Sequence, residues 1–285
     1  AGLDDDVRVE LVTALAVLGN EAPGELWAGT MPAGLFRSRD RGQSWEFNEA
    51  LWQRPERPEF RASGWGGSAL HSLLVDPRDA LKLLVGISRG GVFSTEDGGK
   101  SFECQGLGLP SSEGASLPNP HRLARCRSNP DVVWCQHKRG VFRSVDGGHT
   151  FVVAPGASEL FGFALAAHPH DGETAWFVPS HPPSQPGPFE RALSVCKTRD
   201  GGATVQRKIR GLPQHFAYDV VYRHALEVDD SGTLLAMGSS TGNLWMSDDG
   251  AESFQVVSHN LPPIHALCFA RARLRSSILP APHST

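Results

Sequence analysis

The sequence has no apolar run long enough to cross a membrane as a helix. Such a helix needs about 20 consecutive, mostly apolar residues, whereas the apolar run Leu11–Leu18 is far shorter. No basic segment precedes that run, which makes it a poor secretion signal. The sequence therefore predicts a protein with no membrane partner and a cytoplasmic location.

Cysteine, tyrosine and positive charge are also scarce. Only 5 Cys and 2 Tyr occur in 285 residues, and the formal net charge is −4. An odd number of cysteines without a Cys-x-x-Cys pair predicts reduced, mostly buried thiols, although Cys126 and Cys135 could face each other across neighbouring strands. An acidic chain lacks the broad basic surface that nucleic-acid binding needs, so no nucleic-acid partner is predicted.

Glycine and proline are plentiful, at 31 and 21 residues, and they accompany an internal repeat. Five segments share the pattern Ser/Thr-x-Asp-x-Gly/Ala-x-Ser/Thr followed by a large apolar residue. They are Phe36–Trp45, Phe93–Phe102, Phe142–Phe151, Cys196–Val205 and Trp245–Phe254. Their aspartates are Asp40, Asp97, Asp146, Asp200 and Asp249, at spacings of 57, 49, 54 and 49 residues. These spacings match the length of one four-stranded propeller blade with its loops.

The repeat resembles the Asp-box, or BNR repeat, of sialidase-like, sortilin-like and photosystem-assembly-factor-like propellers. The resemblance extends from about Val7 to Phe269. Aspartate can accept bonds from nearby backbone N–H groups and glycine tolerates positive φ, so each segment closes a hairpin, called an Asp turn below. The resemblance implies that the Asp turns join the third and fourth strands of each blade and that their aspartates are structural. We expect an all-β propeller of four-stranded antiparallel blades.

Each repeat divides into four short strands bounded by turn residues. The second repeat predicts strands at His71–Asp76, Leu81–Ile87, Gly91–Thr95 and Ser101–Gln105, and the third predicts strands at Arg122–Arg127, Val132–Gln136, Gly140–Ser144 and Thr150–Ala154. The first blade is expected to start near Val7, the fourth near Phe161 and the fifth near His224. Residues 1–269 are predicted to form one domain, followed by a disordered tail over 270–285.

The segment Ile264–Phe269 resembles the inner strand of a sixth blade. Either the five visible blades close on themselves, or the chain is part of a six- or seven-bladed propeller that lacks its N-terminal portion. The propellers that the repeat resembles have six or seven blades, which favours the second alternative. In that case Ile264–Phe269 would lie unpaired, or pair weakly with residues near Val7.

One face of the predicted propeller collects histidine and arginine. The loops leading into inner strands and the loops joining second to third strands gather on this axial face. The predicted ligand-binding residues there are His71, His121, His137, Arg139, Arg223, His224 and Arg89, with Trp65 on the rim; Arg122, His181 and His265 lie at similar places. Such a face would concentrate an anionic or sugar-like ligand. The alternatives are that each histidine only bonds a loop carbonyl, and that the rim aromatics fill grooves between blades.

The candidate catalytic residues are few. A sialidase would need a tyrosine nucleophile backed by a glutamate, for which only Tyr218 or Tyr222 with Glu227 are available; a two-carboxylate glycosidase would need Asp219 and Glu227. No His-x-His or His-x-x-x-His pair lies on the axial face, so we predict no metal site and no cofactor. The sequence thus favours a non-catalytic propeller that binds a glycan, an anionic small molecule or a protein, with a sialidase-like, exo-acting glycoside hydrolase as the alternative.

Overall fold

The computed structural model describes residues 8–18, 23–60, 68–111, 115–181 and 187–270. Its strands form five sheets, each of four antiparallel strands in chain order. Consecutive strands pair because short turns connect them, which puts the first strand of each sheet at the axis and the fourth at the rim. The molecule is a five-bladed, all-β propeller, which confirms the predicted fold class.

The twenty strands fall into the five blades in sequence order. Blade 1 contains β1 Leu11–Val17, β2 Leu26–Met31, β3 Leu35–Ser38 and β4 Glu46–Phe47. Blade 2 contains β5 Leu70–Asp76, β6 Asp79–Ile87, β7 Gly91–Thr95 and β8 Glu103–Gln105. Blade 3 contains β9 Pro120–Arg125, β10 Val133–His137, β11 Gly140–Ser144 and β12 Val152–Ser158. Blade 4 contains β13 Gly162–Ala167, β14 Ala175–Pro179, β15 Val195–Thr198 and β16 Gln206–Lys208. Blade 5 contains β17 Leu226–Val228, β18 Leu235–Gly238, β19 Leu244–Ser247 and β20 Gln255–Ser258.

Helix is confined to short connections. The one α-helical turn in the described residues, α1 Glu49–Trp52, begins where the Asn48 side chain accepts a bond from the Leu51 N–H, and 3₁₀ turns occupy Arg57–Glu59 and Phe189–Arg191. Within the part of the chain that is described, no helix has the length and apolar character to span a membrane. The expected start of blade 1 near Val7 and the predicted tail, apart from Ala270, lie outside the described residues.

The Asp turns share one hydrogen-bond network. In the third, Asp146 Oδ1 accepts bonds from the Ser144 hydroxyl at 2.6 Å and from the Thr150 N–H at 2.9 Å, while Ser144 Oγ accepts from the Gly148 N–H. The same bonds recur at Asp40, Asp97, Asp200 and Asp249. All five turns join the third and fourth strands of their blades. Bonds from the hydroxyl and backbone N–H of Ser44 help to lower the pKa of Asp40 to about 2.

The Asp turns also fix each blade to the one before it. The second strand of blade 1 places Trp27 against Gly99 in the second Asp turn, and the second strand of blade 3 places Trp134 against Gly202 in the fourth. In blade 4, the Trp176 indole N–H donates to the Gly250 carbonyl at 3.2 Å. Glycine at these places leaves room for the ring of the neighbouring blade, so one local motif sets both the hairpin and the interblade packing.

Over the described part of the chain, the boundary between the first and fifth blades lacks the bonds from one inner strand to the next that join blades 1 to 2, 2 to 3 and 3 to 4. No hydrogen bond joins a strand of blade 1 to a strand of blade 5 in the described residues. Leu15 and Val17 of β1 are 68% and 65% exposed. The segment predicted as a sixth inner strand follows blade 5: Ala266 forms a parallel bridge with His224, and the Leu267 N–H donates to the His224 carbonyl at 2.8 Å.

The cysteines are all free thiols. Cys126, Cys135 and Cys196 are buried, whereas Cys104 and Cys268 are exposed. Cys135 pairs across the sheet with Leu123, so Cys126 and Cys135 do not face each other.

Candidate functional site

A belt of side-chain hydrogen bonds runs from blade to blade around the axis. The Thr13 hydroxyl donates to the Leu70 carbonyl at 2.6 Å, His71 Nε2 lies 2.9 Å from the Pro120 carbonyl, and His121 Nδ1 lies 2.7 Å from the Gly162 carbonyl. Thr13, His71 and His121 occupy equivalent positions in blades 1, 2 and 3, and each bonds the residue that precedes the equivalent position of the next blade. Since a carbonyl only accepts, the proton of the His71 ring is on Nε2 and that of the His121 ring is on Nδ1.

The third histidine at this position, His224 in blade 5, bonds across the axis instead. His224 Nε2 lies 2.8 Å from the His71 carbonyl, so the start of blade 5 is tied to blade 2. Burial lowers the pKa of His121 to about 3, aided by the charge of Arg223, and burial with Arg122 does the same to His224. The pKa of His71 is also well below its usual range, chiefly through burial. These rings are therefore neutral at pH 7.

The other predicted binding residues lie around this belt. His137 is buried, and its Nδ1 accepts a bond from the Arg139 N–H at 3.1 Å. Burial lowers the pKa of His137 to about 4. The side chains of Arg139 and Arg89 are exposed, and Trp65 lies outside the described residues. Ligand binding by these residues stays a prediction. Their histidine rings are neutral, and each is already bonded to a backbone group.

The aromatics of the long loop after blade 1 pack within the fold. Trp52 contacts Phe47 with ring centroids 5.3 Å apart, and the Arg57 guanidinium lies 3.5 Å from the centre of the Trp52 ring. Phe60 packs on Phe93 of blade 2 at 5.8 Å. In the described part of this loop, the aromatic rings thus fill space at and between the first two blades.

An axial cavity of about 670 Å³ lies at the opposite ends of the inner strands from the predicted face. Residues near the ends of β1, β5, β9, β13 and β17 line it, together with residues of the turns that follow. In each blade, the residue that lies three positions after the belt position lines the cavity. These residues are Ala16, Leu74, Ala124, Ala166 and Glu227. Small side chains at three of these five places leave the axis open.

One wall of the axial cavity is charged. Arg122 and Arg125 of β9 line it, and the Nε atoms of both are buried without a hydrogen-bond partner. Arg125 lies 3.8 Å from Asp76, whose carboxylate is already bonded to Arg78. Burial lowers the pKa of Arg122, with Glu227 opposing that shift. Arg122 makes no ion pair within 4 Å with any described carboxylate.

Two further groups shape the electrostatics beside this wall. The buried Arg223 donates to the Ser88 hydroxyl at 3.1 Å and lies over the Phe163 ring, and its Nε also lacks a partner. Burial and the charge of Arg122 lower the pKa of Arg223 to about 10. Burial raises the pKa of Glu227, opposed by Arg122. The axis thus holds more positive than negative charge, although the chain as a whole is acidic.

The candidate catalytic residues do not converge. Asp219 bonds the side chains of Ser239, Thr241 and Asn243, which ties the loop before β17 to the β18–β19 turn. Tyr218 is exposed and accepts a bond from Arg191, and Tyr222 stacks on His265 with ring centroids 5.1 Å apart. Among these candidates, Glu227 alone lines the axial cavity. No cluster of three or more metal-binding side chains occurs in the described residues.

Sequence reasoning missed Arg125 and predicted binding residues at the end of the axis opposite to this cavity. The available signal was the alignment of the inner strands. At the position after the belt residue, blades 1, 2, 4 and 5 have Ala14, Ser72, Ala164 and Ala225, whereas blade 3 has Arg122. Two positions further on, Glu227 is the only charged residue of its set. A large charged side chain among small ones marks an axial group that the packing of the blades does not need.

Comparisons with known proteins agree on the fold. No family model matches the chain. It is 35% identical over 82 residues to the probable oligoxyloglucan-reducing end-specific xyloglucanase of Neosartorya fischeri, and 35% identical over 80 residues to the Emericella nidulans enzyme. Each match covers 28% of this chain and 9% of the relative, so the chain spans only a small part of these enzymes.

Solved structures resemble the chain over most of its length. An ancestral GH74 enzyme gives a TM-score of 0.63 at 17% identity, covering 87% of this chain and 33% of the enzyme. YCF48 bound to D1 peptide gives a TM-score of 0.55 at 15% identity, covering 86% of this chain and 69% of YCF48. A chain of the COPII outer coat vertex gives a TM-score of 0.57 at 12% identity, covering 90% of this chain and 62% of the coat chain. At these identities the likeness shows a β-propeller and nothing finer.

Proposed function

We propose that this chain is a non-catalytic propeller of the Asp-box class that binds the anionic group of a ligand in its axial cavity. The observation that carries the proposal is the charged wall, where, among the described residues, the buried Nε–H groups of Arg122 and Arg125 lack partners and no close ion pair neutralises Arg122. The other bonds of these two guanidinium groups are long, at 3.4 Å to His224 Nε2 and 3.4 Å to the Leu74 carbonyl. A buried arginine donor without an acceptor costs free energy, and a carboxylate or sulfate oxygen would satisfy it with a charge-assisted bond. YCF48, whose fold resembles this chain, is bound to D1 peptide, which makes a peptide carboxylate one source of that group.

Glycoside hydrolysis has less support from the same residues. The mechanism needs two carboxylates flanking one bond. The axial cavity has Asp76 and Glu227 in its lining. Both oxygens of Asp76 are bonded to Arg78, and Oδ1 also accepts the Arg78 N–H within the turn after β5. Among the described lining residues, that leaves Glu227 as the single acid available to a ligand, which suits binding better than hydrolysis.

The test uses sulfate as the probe, because it stays doubly charged between pH 5 and 8. Binding to the full chain is measured by calorimetry at constant ionic strength. Arg122→Gln is expected to weaken sulfate binding at least tenfold, since it removes a donor and a charge. Glu227→Gln is expected to strengthen it, because the competing carboxylate is gone. The exposed Arg199, in the fourth Asp turn, provides the control Arg199→Gln, which should bind sulfate like the wild type.

The pH dependence is a second readout of the same test. Because the pKa of Glu227 is raised, its charge is lost at higher pH than that of an ordinary glutamate, and sulfate binding should strengthen as pH falls through that titration. Glu227→Gln should remove this dependence. If Arg122→Gln and Arg199→Gln bind sulfate equally, or if none of the proteins binds it, the axial site is not an anion site.

A further inference from the structure

We propose that the ligand of the axial cavity is a linear aliphatic anion, with its charged head on Arg122 and Arg125 and its hydrocarbon chain along β1. This inference rests on the proposed function and adds the chemistry of the ligand body. Its starting point is the contrast between the two sides of the cavity. The β9 side supplies arginines, whereas the β1 side supplies Leu15, Val17 and Leu18.

The apolar wall is aliphatic throughout its described lining. Leu73, Leu165 and Val228 also line the cavity, although they are buried in the hydrophobic cores, and no described lining residue is aromatic. Protein sites that hold flat ring faces do so with aromatic side chains, whose broad surfaces pack against them. Aliphatic side chains instead form a smooth apolar surface that suits a flexible hydrocarbon chain. The lining therefore favours an acyl chain over a sugar.

The apolar wall is also unusually accessible. Leu15 and Val17 are more than half exposed although they lie on an inner strand, where the equivalent side chains of the other blades are mostly covered. Leaving such a stripe in water is unfavourable, and covering it contributes about 25 cal/mol per Å² of apolar area. Since Leu15 and Val17 are open to solvent, a hydrocarbon chain can reach this wall.

Size and charge agree with one occupant. A cavity of about 670 Å³ falls in the range of sites that enclose a small organic ligand. The ligand must satisfy a cationic wall and an aliphatic wall that face the same space. A carboxylate head bonded to arginine and a tail of several methylenes meets both requirements, whereas a small hydrophilic anion leaves the stripe on β1 uncovered.

The experiment compares octanoate, acetate and octan-1-ol on the full chain by calorimetry, with octanoate kept below its micelle concentration. Each buried methylene should tighten binding about fourfold. With at least three methylenes buried, octanoate should bind at least about 50-fold more tightly than acetate. Octan-1-ol, which has the tail without the charge, should bind at least tenfold more weakly than octanoate.

Two variants test the contributions of the apolar wall and the charged wall separately. Leu15→Ser should weaken octanoate binding about tenfold and leave sulfate binding unchanged, because it alters only the apolar wall. Arg122→Gln should weaken both. Leu107→Ser is the matched control, since Leu107 is 74% exposed and far from the axial cavity, and it should leave both affinities unchanged. Thermal unfolding of each variant verifies that it is folded.

The outcomes distinguish the two proposals. If sulfate binds through Arg122 but octanoate binds no more tightly than acetate, the aliphatic ligand is wrong and the anion site stands. A xyloglucan oligosaccharide is measured in the same way. If Arg122→Gln weakens its binding while Leu15→Ser leaves octanoate binding unchanged, the ligand body is a sugar and the inference is again wrong. If neither sulfate nor octanoate depends on Arg122, both proposals fail.

Discussion

Replacing His121 with asparagine should change how stability depends on pH. His121 is buried, its Nδ1–H donates to the Gly162 carbonyl, and its ring stacks on Phe163 at 5.2 Å. Asparagine can place an N–H near the same carbonyl but cannot take up a proton. The variant therefore keeps the donor of the interblade belt and removes its titration.

The magnitude follows from the lowered pKa. The unfolded chain binds a proton at His121 with a pKa of 6.5, whereas the folded protein does so only near 3. Because the pKa is lowered on folding, the neutral His121 ring makes its full contribution to the free energy of unfolding above pH 6.5. That contribution is lost as the pH falls from 6.5 toward 3. At pH 5 the loss is about 2 kcal/mol for this one residue. His224 has a similar shift, so the belt alone could remove a large share of a typical stability of about 5–15 kcal/mol.

The assay is urea unfolding of wild type and His121→Asn at several pH values between 7.5 and 5. Over that pH range, the free energy of unfolding of the wild type should fall by about 2 kcal/mol more than that of the variant. His259→Asn is the control, because His259 is exposed and bonds only the Asn243 side chain. It should follow the wild-type curve. Parallel curves for wild type and His121→Asn would show that the buried ring is not held neutral, and the account of the belt would be wrong.

The remaining predictions concern the Asp turns. Asp146→Ala should lower the free energy of unfolding by about 1–2 kcal/mol, through loss of the bonds from Ser144 and Thr150, and leave sulfate binding unchanged; a loss of binding with unchanged melting would contradict the structural role. Gly147→Ala, at φ +78° with open space around it, should cost about 1–2 kcal/mol in urea unfolding. Gly202→Ala, where a Cβ would lie 2.3 Å from the Ala154 Cβ, should cost about 1–3 kcal/mol more. Equal costs would mean that this turn does not pack on blade 3.

The fold was predictable because its determinants are local. Each Asp turn closes with bonds among residues at most four apart, such as those that join Asp146 to Thr150, so the pattern survives in the sequence as a readable motif. The strand Gly91–Thr95 was predicted with its observed bounds, and β6 was predicted two residues short because Asp79 and Ala80 continue the pairing out of the turn.

The histidines illustrate what a sequence leaves open. Their recurrence was visible, and both a ligand site and a bond to a loop carbonyl were compatible with it. The choice depends on which carbonyl lies opposite, and this is set by the stacking of one blade on the next. His71 meets Pro120 and His121 meets Gly162 because each inner strand lies beside the next at a fixed height. No pattern within one blade encodes that height.

The axial cavity is a property of the ring rather than of any blade. Arg122 and Glu227 lie 105 residues apart in the sequence, yet the charge of Glu227 opposes the lowering of the Arg122 pKa by burial. They meet because each inner strand turns the same alternate positions toward the axis. Alanine at six of the ten positions that lie one and three residues beyond the belt position leaves space there, and two of the four exceptions, Arg122 and Glu227, are charged. A repeat protein therefore reveals a site most clearly where one copy departs from the others, since structural demands alone would have kept the five positions alike.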